Sequence, residues 1–136
     1  MVNNRWAKRK GINAERDLIN LFWSQTGWCA HRIAGSGSSR YPSPDLIVGN
    51  NIRKLAIEVK ITSANKKYFT LDEIDGLKDF SRIFGAEPWV AIKFSKSDNK
   101  NWFFFTLEDL NETDNSFNIS LKDAEMKGLL FEELIK

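Results

Sequence analysis

One stretch decides the fold of this chain: YPSPDLIVGNNIRKLAIEVK, residues 41–60. It reads as two short apolar strands joined by a Gly-Asn-Asn turn, a pattern typical of a β-hairpin. Such a hairpin brings Asp45, at the start of the first strand, close to Glu58 in the second. Because side chains alternate along a strand, Glu58 and Lys60 share one face, and the apolar residues around them share the other.

Charged side chains on an apolar hairpin are costly unless a cation or hydrogen-bond donors compensate them. Asp45, Glu58, the carbonyl of Val59 and water form an oxygen-rich set that suits Mg²⁺ or Mn²⁺ and suits Zn²⁺ poorly. Lys60 would then hold or deprotonate a water bound there, or neutralise a phosphate. The plainer alternative is a surface strand on which Glu58 and Lys60 pair in solvent. The upstream Pro44-Asp45, placed by the hairpin, favours the metal site.

The combination of Pro44-Asp45 with Glu58-Val59-Lys60 resembles the signature of the PD-(D/E)xK nuclease superfamily. This resemblance implies a restriction-endonuclease-like core. We therefore expect an α/β fold, in which a central mixed β-sheet is flanked by helices.

Length and composition favour one globular domain spanning residues 1–136. No apolar run approaches the roughly 20 residues of a membrane span, and the amino terminus is polar and basic. We therefore expect no membrane segment, no secretory signal and a cytoplasmic location. One cysteine excludes an internal disulfide, and a single histidine beside it excludes a Cys/His zinc site. Cys29 lies in an apolar strand and is expected to be buried.

The charge is unevenly distributed along the chain. Residues 1–67 hold 12 Lys and Arg against 4 Asp and Glu, whereas residues 68–136 hold 8 against 14, so a net charge of +2 conceals a basic half. Three of the four acids in that half are Glu15, Asp45 and Glu58. This arrangement suits an enzyme that acts on a polyanion, because cations gather phosphates while carboxylates hold a metal. A plain binding module has no reason to place acids there.

The first 40 residues carry further candidate contacts. Residues 1–10 are expected to form a basic arm that either contacts phosphates or is disordered. A helix is predicted from Ile12 to about Gln25, with Glu15 on its core-facing stripe. After a strand at residues 28–34, the loop at residues 35–40 is either a plain connection or a mobile segment that contacts phosphate beside Asp45.

The rest of the chain is predicted to complete the sheet and its helices. Further strands are expected at residues 66–69, 89–94, 102–106 and 117–121. A capping box, Thr70-Leu71-Asp72-Glu73, opens a helix that runs to about Phe84. A terminal helix is expected around residues 129–135, and the segment 107–136 is a candidate subunit contact.

Several segments, in order and spacing, resemble the archaeal Holliday junction resolvases over roughly the first 110 residues. They are Arg9-Lys10-Gly11, Glu15-Arg16, RIAGSGS at 32–38, PDLI at 44–47, AIEVK at 56–60, FSRIFG at 80–85, VAIK at 90–93 and WFF at 102–104. This resemblance implies a homodimeric, Mg²⁺-dependent endonuclease that nicks symmetrically across four-way DNA junctions.

The resemblance also implies roles for single residues. Glu15 matches the acid of the first helix, Asp45 and Glu58 match the metal ligands, Lys60 matches the catalytic lysine, and Ser36 matches a loop serine implicated in cleavage. Arg16 and Arg32 match arginines implicated in DNA contact or catalysis, and Phe80 and Phe84 match aromatics that affect junction binding or the dimer. The complete set of expected DNA contacts is Lys8, Arg9, Lys10, Arg16, Arg32, Ser38, Arg40, Phe80 and Phe84.

The predicted function is therefore resolution of four-way (Holliday) junctions by paired nicks through Mg²⁺-assisted phosphodiester hydrolysis. Two alternatives stay open. One is a restriction-like or repair endonuclease acting on duplex DNA, and the other is a non-catalytic DNA-binding protein of the same fold. The complete set of acids and lysine argues against the second. The number of metal ions, the base preference, and partners such as a sliding clamp or other recombination proteins are left open by the sequence.

Overall fold

The computed structural model describes residues 4–35, 40–98 and 101–136. The α-helices in these ranges are α1 (Asn4–Trp23), α2 (Leu71–Phe84), α3 (Leu121–Lys127) and α4 (Phe131–Leu134), and a 3-10 helix covers Leu107–Asp109. The strands are β1 (Cys29–Arg32), β2 (Leu46–Gly49), β3 (Lys54–Thr62), β4 (Lys66–Thr70), β5 (Glu87–Phe94), β6 (Trp102–Phe105), β7 (Asn111–Glu112) and β8 (Ser116–Ser120). None of the helices in this described part has the length and apolar composition of a membrane span.

The strands form a central sheet and a smaller one. The central sheet has five strands in the order β1-β2-β3-β5-β6, and the smaller sheet has the order β4-β8-β7. Strands β3 and β5 are parallel, while the other neighbours in the central sheet are antiparallel. The chain passes from β3 to β5 through β4 and α2. The expected α/β fold with a central mixed sheet is confirmed; the smaller sheet was not predicted as a separate unit.

Helices cover both faces of the central sheet. On one face, Leu18 and Phe22 of α1 pack in a cluster with Ile57 of β3. On the other face, Ile74 of α2 packs in a second cluster with Ala56 of β3. Alternate side chains of β3 therefore point toward α1 and toward α2, as a strand buried on both sides requires.

The turn end of the β2–β3 hairpin is fixed by Arg53. Its guanidinium donates two hydrogen bonds to Glu87 at the start of β5, at 2.8 and 2.9 Å, and a third to the carbonyl oxygen of Leu134 at 2.6 Å. The same group lies over the ring of Trp28. A planar guanidinium suits this paired geometry. Arg53 thus ties the hairpin to β5 and to the carboxyl-terminal helix.

The predicted basic arm is wrong, because α1 begins at Asn4 and includes Lys8, Arg9 and Lys10. Lys and Arg are good helix formers, and a single glycine costs only about 1 kcal/mol in a helix. Gly11 therefore lies inside the helix instead of ending an arm.

The terminal helix predicted around residues 129–135 is present but shorter, because α4 covers only Phe131–Leu134. Two short helices, α3 and α4, flank Gly128, and Leu129 instead bridges to Phe104 of β6 through two backbone hydrogen bonds of 2.8 and 2.9 Å. Cys29 is exposed rather than buried, because β1 is an edge strand in which only Ala30 reaches the core. The indole N–H of Trp23 donates to the Ala30 carbonyl oxygen at 2.9 Å.

We expect Gly128→Ala to lower the free energy of unfolding by about 1–3 kcal/mol through overpacking. An added Cβ would lie 2.7 Å from the carbonyl oxygen of Ala124 and 3.0 and 3.1 Å from ring atoms of Phe105 and Phe103. Gly11→Ala is the matched control, because a Cβ there meets no heavy atom within 4 Å, and we expect it to stabilise by about 0.5–1 kcal/mol. Urea denaturation measures both, and equal stabilities of the two variants would contradict the prediction.

Candidate active site

The register of the β2–β3 hairpin places two carboxylates side by side. The pairing ends at Leu46 opposite Ile57, and Asp45, one residue before β2, lies beside Glu58. The main chain holds Asp45 in place: its N–H donates to the Ile57 carbonyl oxygen at 3.1 Å, and its Oδ2 accepts the Val59 N–H at 2.8 Å. The predicted proximity of Asp45 and Glu58 is thus a consequence of strand pairing.

The Glu58 carboxyl lies in an environment that disfavours its charge. Its side chain is 15% exposed. Burial raises the pKa of Glu58 to about 8, the neighbouring Asp45 adds to the rise, and Lys60 opposes it. A cation bound between Glu58 and Asp45 would reduce the repulsion between their carboxylates and favour the charged form of Glu58.

The oxygen atoms at this point fit a divalent cation. Asp45 and Glu58 offer carboxylate oxygens, and the Val59 carbonyl points to the same side of β3 as its N–H, toward Asp45. With water, this hard donor set suits Mg²⁺ or Mn²⁺ better than Zn²⁺. Within the described ranges, no three His, Cys, Asp or Glu side chains by themselves form a group that could hold a metal ion.

Glu15 reaches the same pocket from the other face of the sheet. It lies on α1, where its Oε2 accepts a hydrogen bond from Arg32 Nε at 2.8 Å. Burial raises the pKa of Glu15, Asp45 adds to the rise, and Arg32 opposes it. Glu15 and Asp45 line the same pocket. The pairing with Arg32 is a contact that the sequence analysis did not anticipate.

Lys60 is held between two carboxylates. Its Nζ lies 2.8 Å from Oε2 of Glu73 and 3.5 Å from Oε1 of Glu58. Burial alone would lower the pKa of Lys60, but the hydrogen bond to Glu73 and the charge of Glu58 outweigh burial and raise it. Lys60 is therefore an ammonium group at neutral pH. Its Glu73 contact has the length of a charge-assisted hydrogen bond.

The site opens into a pocket of about 940 Å³ between the hairpin and α2. Its lining includes Glu15, Asp45, Glu58, Lys60 and Arg40, so the structure brings these predicted residues together. Helix α2 contributes further acids that the sequence analysis did not assign to the site, namely Asp72, Glu73, Asp75 and Asp79.

The sequence identifies Glu73 only as part of a capping box. That box is present, since the Glu73 N–H donates to Thr70 Oγ1 at 3.0 Å and the Thr70 N–H donates to Glu73 Oε1 at 3.1 Å. Burial would raise the pKa of Glu73, but hydrogen bonds from Lys60 and Thr70 lower it. The signal in the sequence is the position of this box, which opens the first helix after the Glu58-Val59-Lys60 strand, beyond β4.

The other predicted contacts are distributed over the surface. Lys8, Arg9, Lys10 and Arg16 are exposed on α1. Arg40 lies over the ring of Tyr41, 5.7 Å from its centroid. Phe80 and Phe84 stack with their ring centroids 5.2 Å apart at the carboxyl end of α2. Ser36 and Ser38 lie outside the described residues.

A central mixed sheet with this acid pair and lysine on adjoining strands has the architecture of the PD-(D/E)xK class of nuclease folds. More narrowly, the chain belongs to the archaeal Holliday junction resolvase family, whose model matches residues 6–136.

Relatives of known name agree with this membership. The chain is 41% identical over 133 residues to the crossover junction endodeoxyribonuclease Hjc of Archaeoglobus fulgidus, covering 93% of this chain and 95% of that protein. It is 39% identical over 87 residues to Hjc of Methanocaldococcus jannaschii, covering 64% and 61%. The solved structure of Archaeoglobus fulgidus Hjc, a Holliday junction resolvase, is similar with a TM-score of 0.81 and 38% identity, covering 90% of this chain and 96% of that one.

The pKa of Glu58 predicts how the metal-free protein responds to pH. The pKa of Glu58 is about 8 in the folded chain, above its usual 4.5. The neutral form of Glu58 therefore stabilises the folded chain fully at pH values below 4.5. This stabilisation is lost as the pH rises through the folded-state pKa of about 8. We therefore expect Glu58→Gln to raise the melting temperature in EDTA at pH 9 relative to the wild type, and to do so much less at pH 5.

Thermal denaturation at the two pH values measures this difference. Glu125→Gln, which removes an exposed acid from α3, is the matched control and should show no comparable dependence on pH. An effect of Glu58→Gln that is the same at pH 5 and pH 9 would contradict the prediction.

Proposed function

We propose that this chain is a structure-selective DNA endonuclease that resolves four-way (Holliday) junctions by paired symmetric nicks. The observation that carries this proposal is the cross-strand pair of Asp45 and Glu58 with Lys60 on the same face, in a chain of the resolvase family. A set of two acids and an ammonium group in one pocket supports turnover rather than binding alone. A duplex-cutting nuclease on the same fold is the competing function that the experiment must exclude.

In this proposal the hairpin holds the metal and Lys60 serves the reaction. Asp45, Glu58 and the Val59 carbonyl would bind Mg²⁺, for which Mn²⁺ can substitute, with Glu15 acting directly or through water. When bound, the metal supplies a Lewis acid for the scissile phosphate and lowers the pKa of water. The Lys60 ammonium orients the attacking water in line with the scissile bond and offsets charge that develops on the phosphate.

Cations outside the pocket would supply the affinity for DNA. Lys8, Arg9, Lys10 and Arg16 on α1 are exposed, and Arg40 lies on the rim of the pocket. Arg32, which pairs with Glu15, would contact a phosphate of the DNA. We assign the loop serines Ser36 and Ser38 to contacts near the cleaved strand. Phosphate contacts of this kind depend strongly on salt and not on the metal. A chromosomal substrate would place the protein in the cytoplasm.

A homodimer accounts for paired nicks, because a two-fold axis presents two identical sites to two symmetric strands. The carboxyl end of α2 supports a subunit contact there: Phe84 and Ile83 are 47% and 75% exposed, beside the partly buried Phe80. Such a patch of large apolar side chains is typical of a protein interface. The segment 107–136 places Leu107, Leu110 and Phe117 in the core of its own chain and is the weaker candidate.

We expect Asp45→Asn to abolish nicking while leaving junction binding within about twofold, since Lys and Arg contacts supply the affinity. A bound metal stabilises the transition state by several kcal/mol. Its loss should therefore lower the nicking rate at least about a thousandfold. The measurement uses a labelled four-way junction and the matching linear duplex, each with Mg²⁺ and with EDTA. Asp114→Asn, in the exposed turn before β8, is the matched control and should cleave like the wild type.

The outcomes separate the competing functions. Paired nicks confined to the junction, absent in EDTA and in the Asp45→Asn variant, support a resolvase. Equal cutting of duplex and junction would replace it with a general nuclease. Junction binding without cleavage in any divalent metal would leave a DNA-binding protein.

A further inference from the structure

Glu73 is the closest carboxylate to the lysine of the site, yet it belongs to neither the hairpin nor the acid pair. It is the third residue of α2, and its Oε2 lies 2.8 Å from Lys60 Nζ, compared with 3.5 Å for Glu58 Oε1. The shorter distance lies within hydrogen-bond range and the longer one lies outside it. The Lys60 ammonium is therefore bound by α2 and only attracted by its strand neighbour.

The carboxylate that binds Lys60 is itself fixed by the main chain. Glu73 Oε1 accepts the backbone N–H of Thr70 at 3.1 Å, so one oxygen of the carboxylate closes the capping box while the other binds Lys60. A side chain held at both oxygens has lost most of its rotamer freedom. The position of the Lys60 ammonium is thus set by the amino end of α2.

We propose that Glu73 is a positioning residue, which draws the Lys60 ammonium away from Glu58 and holds it at the mouth of the acid pair. The inference rests on the proposed nuclease function. Among the described residues, Glu58 is the other carboxylate within 4 Å of Lys60 Nζ, so it is the partner left when Glu73 is removed. A direct Lys60–Glu58 ion pair would occupy a proposed metal ligand and move the ammonium group off the path of the attacking water. Glu73 does not touch the phosphate in this proposal and acts through Lys60 alone.

The E73Q variant tests this role while keeping the helix cap. Glutamine at this position of a capping box can still accept the Thr70 N–H, but its amide NH₂ would then face the ammonium group, donor against donor. We expect the single-turnover nicking rate on a four-way junction to fall roughly 10- to 100-fold, as when a partner that orients a ligand is removed. The dissociation constant for the junction should stay within about twofold.

Two controls separate positioning from helix stability. Thr70→Ala removes the hydroxyl that accepts the Glu73 N–H but leaves the backbone N–H bound to Glu73 Oε1; it should lower stability and leave the nicking rate at the permissive temperature unchanged. In a Lys60→Ala background, E73Q should have no further effect on the rate, because neighbours that act through one group are not additive.

A second readout does not need cleavage. Reductive methylation of lysines, followed by mass spectrometry of the peptide containing Lys60, reports how firmly its amine is held in the metal-free protein. We expect faster modification of Lys60 in E73Q and the wild-type rate in Thr70→Ala.

The outcomes distinguish this inference from the function on which it rests. Slower nicking with unchanged binding and faster modification of Lys60 support the role of Glu73. Nicking and Lys60 modification at the wild-type rates in E73Q would overturn it. An equally large loss of nicking rate when E73Q is added to Lys60→Ala would overturn it too. If the wild-type protein nicks no junction, the proposed function fails, and the methylation comparison alone decides whether Glu73 holds Lys60.

Discussion

The antiparallel register between β2 and β3 is the constraint on which the rest of the site depends. It brings Asp45 beside Glu58 and turns Glu58 and Lys60 toward α2. A slip of one residue would turn both charges toward the α1 face, among Leu18 and Phe22, where neither could be compensated. The register is held at one end by the Val59 N–H on the Asp45 carboxylate and at the other by the guanidinium that joins the turn to β5.

Around this hairpin the protein tolerates an unfavourable concentration of charge. The mostly buried Glu58 lies beside Asp45, and Lys60 opposes the resulting rise in the Glu58 pKa. Burial of apolar side chains on both sides of β3 offsets the free-energy cost of these charges. Functional sites commonly violate the rules that the remainder of a fold obeys. Each of the two helices contributes an acid to the pocket, Glu15 from α1 and Glu73 from α2.

The parts of the structure that local patterns determine were predictable from the sequence. The hairpin follows from two apolar runs and a turn, and the start of α2 follows from the Thr70–Glu73 capping box. The bonds of Glu73 to Lys60 and of Glu15 to Arg32 join residues far apart in sequence, and no local pattern encodes them. The early start of α1 is hidden in the sequence, because Gly11 interrupts the run of helix-forming residues on both sides of it. The separate small sheet depends on long-range pairing of β4 with β8, which apolar alternation alone does not specify.

Each edge strand of the central sheet has an outward backbone contact of its own. On one side the indole of Trp23 occupies the outward carbonyl of Ala30 in β1, and on the other Leu129 pairs with Phe104 of β6. An unprotected edge strand offers a template on which another chain can polymerise. A strand added at either edge would first have to displace the Trp23 indole or the Leu129 backbone. These two contacts therefore raise the barrier to edge-to-edge growth of a sheet whose strands are rich in phenylalanine and tryptophan.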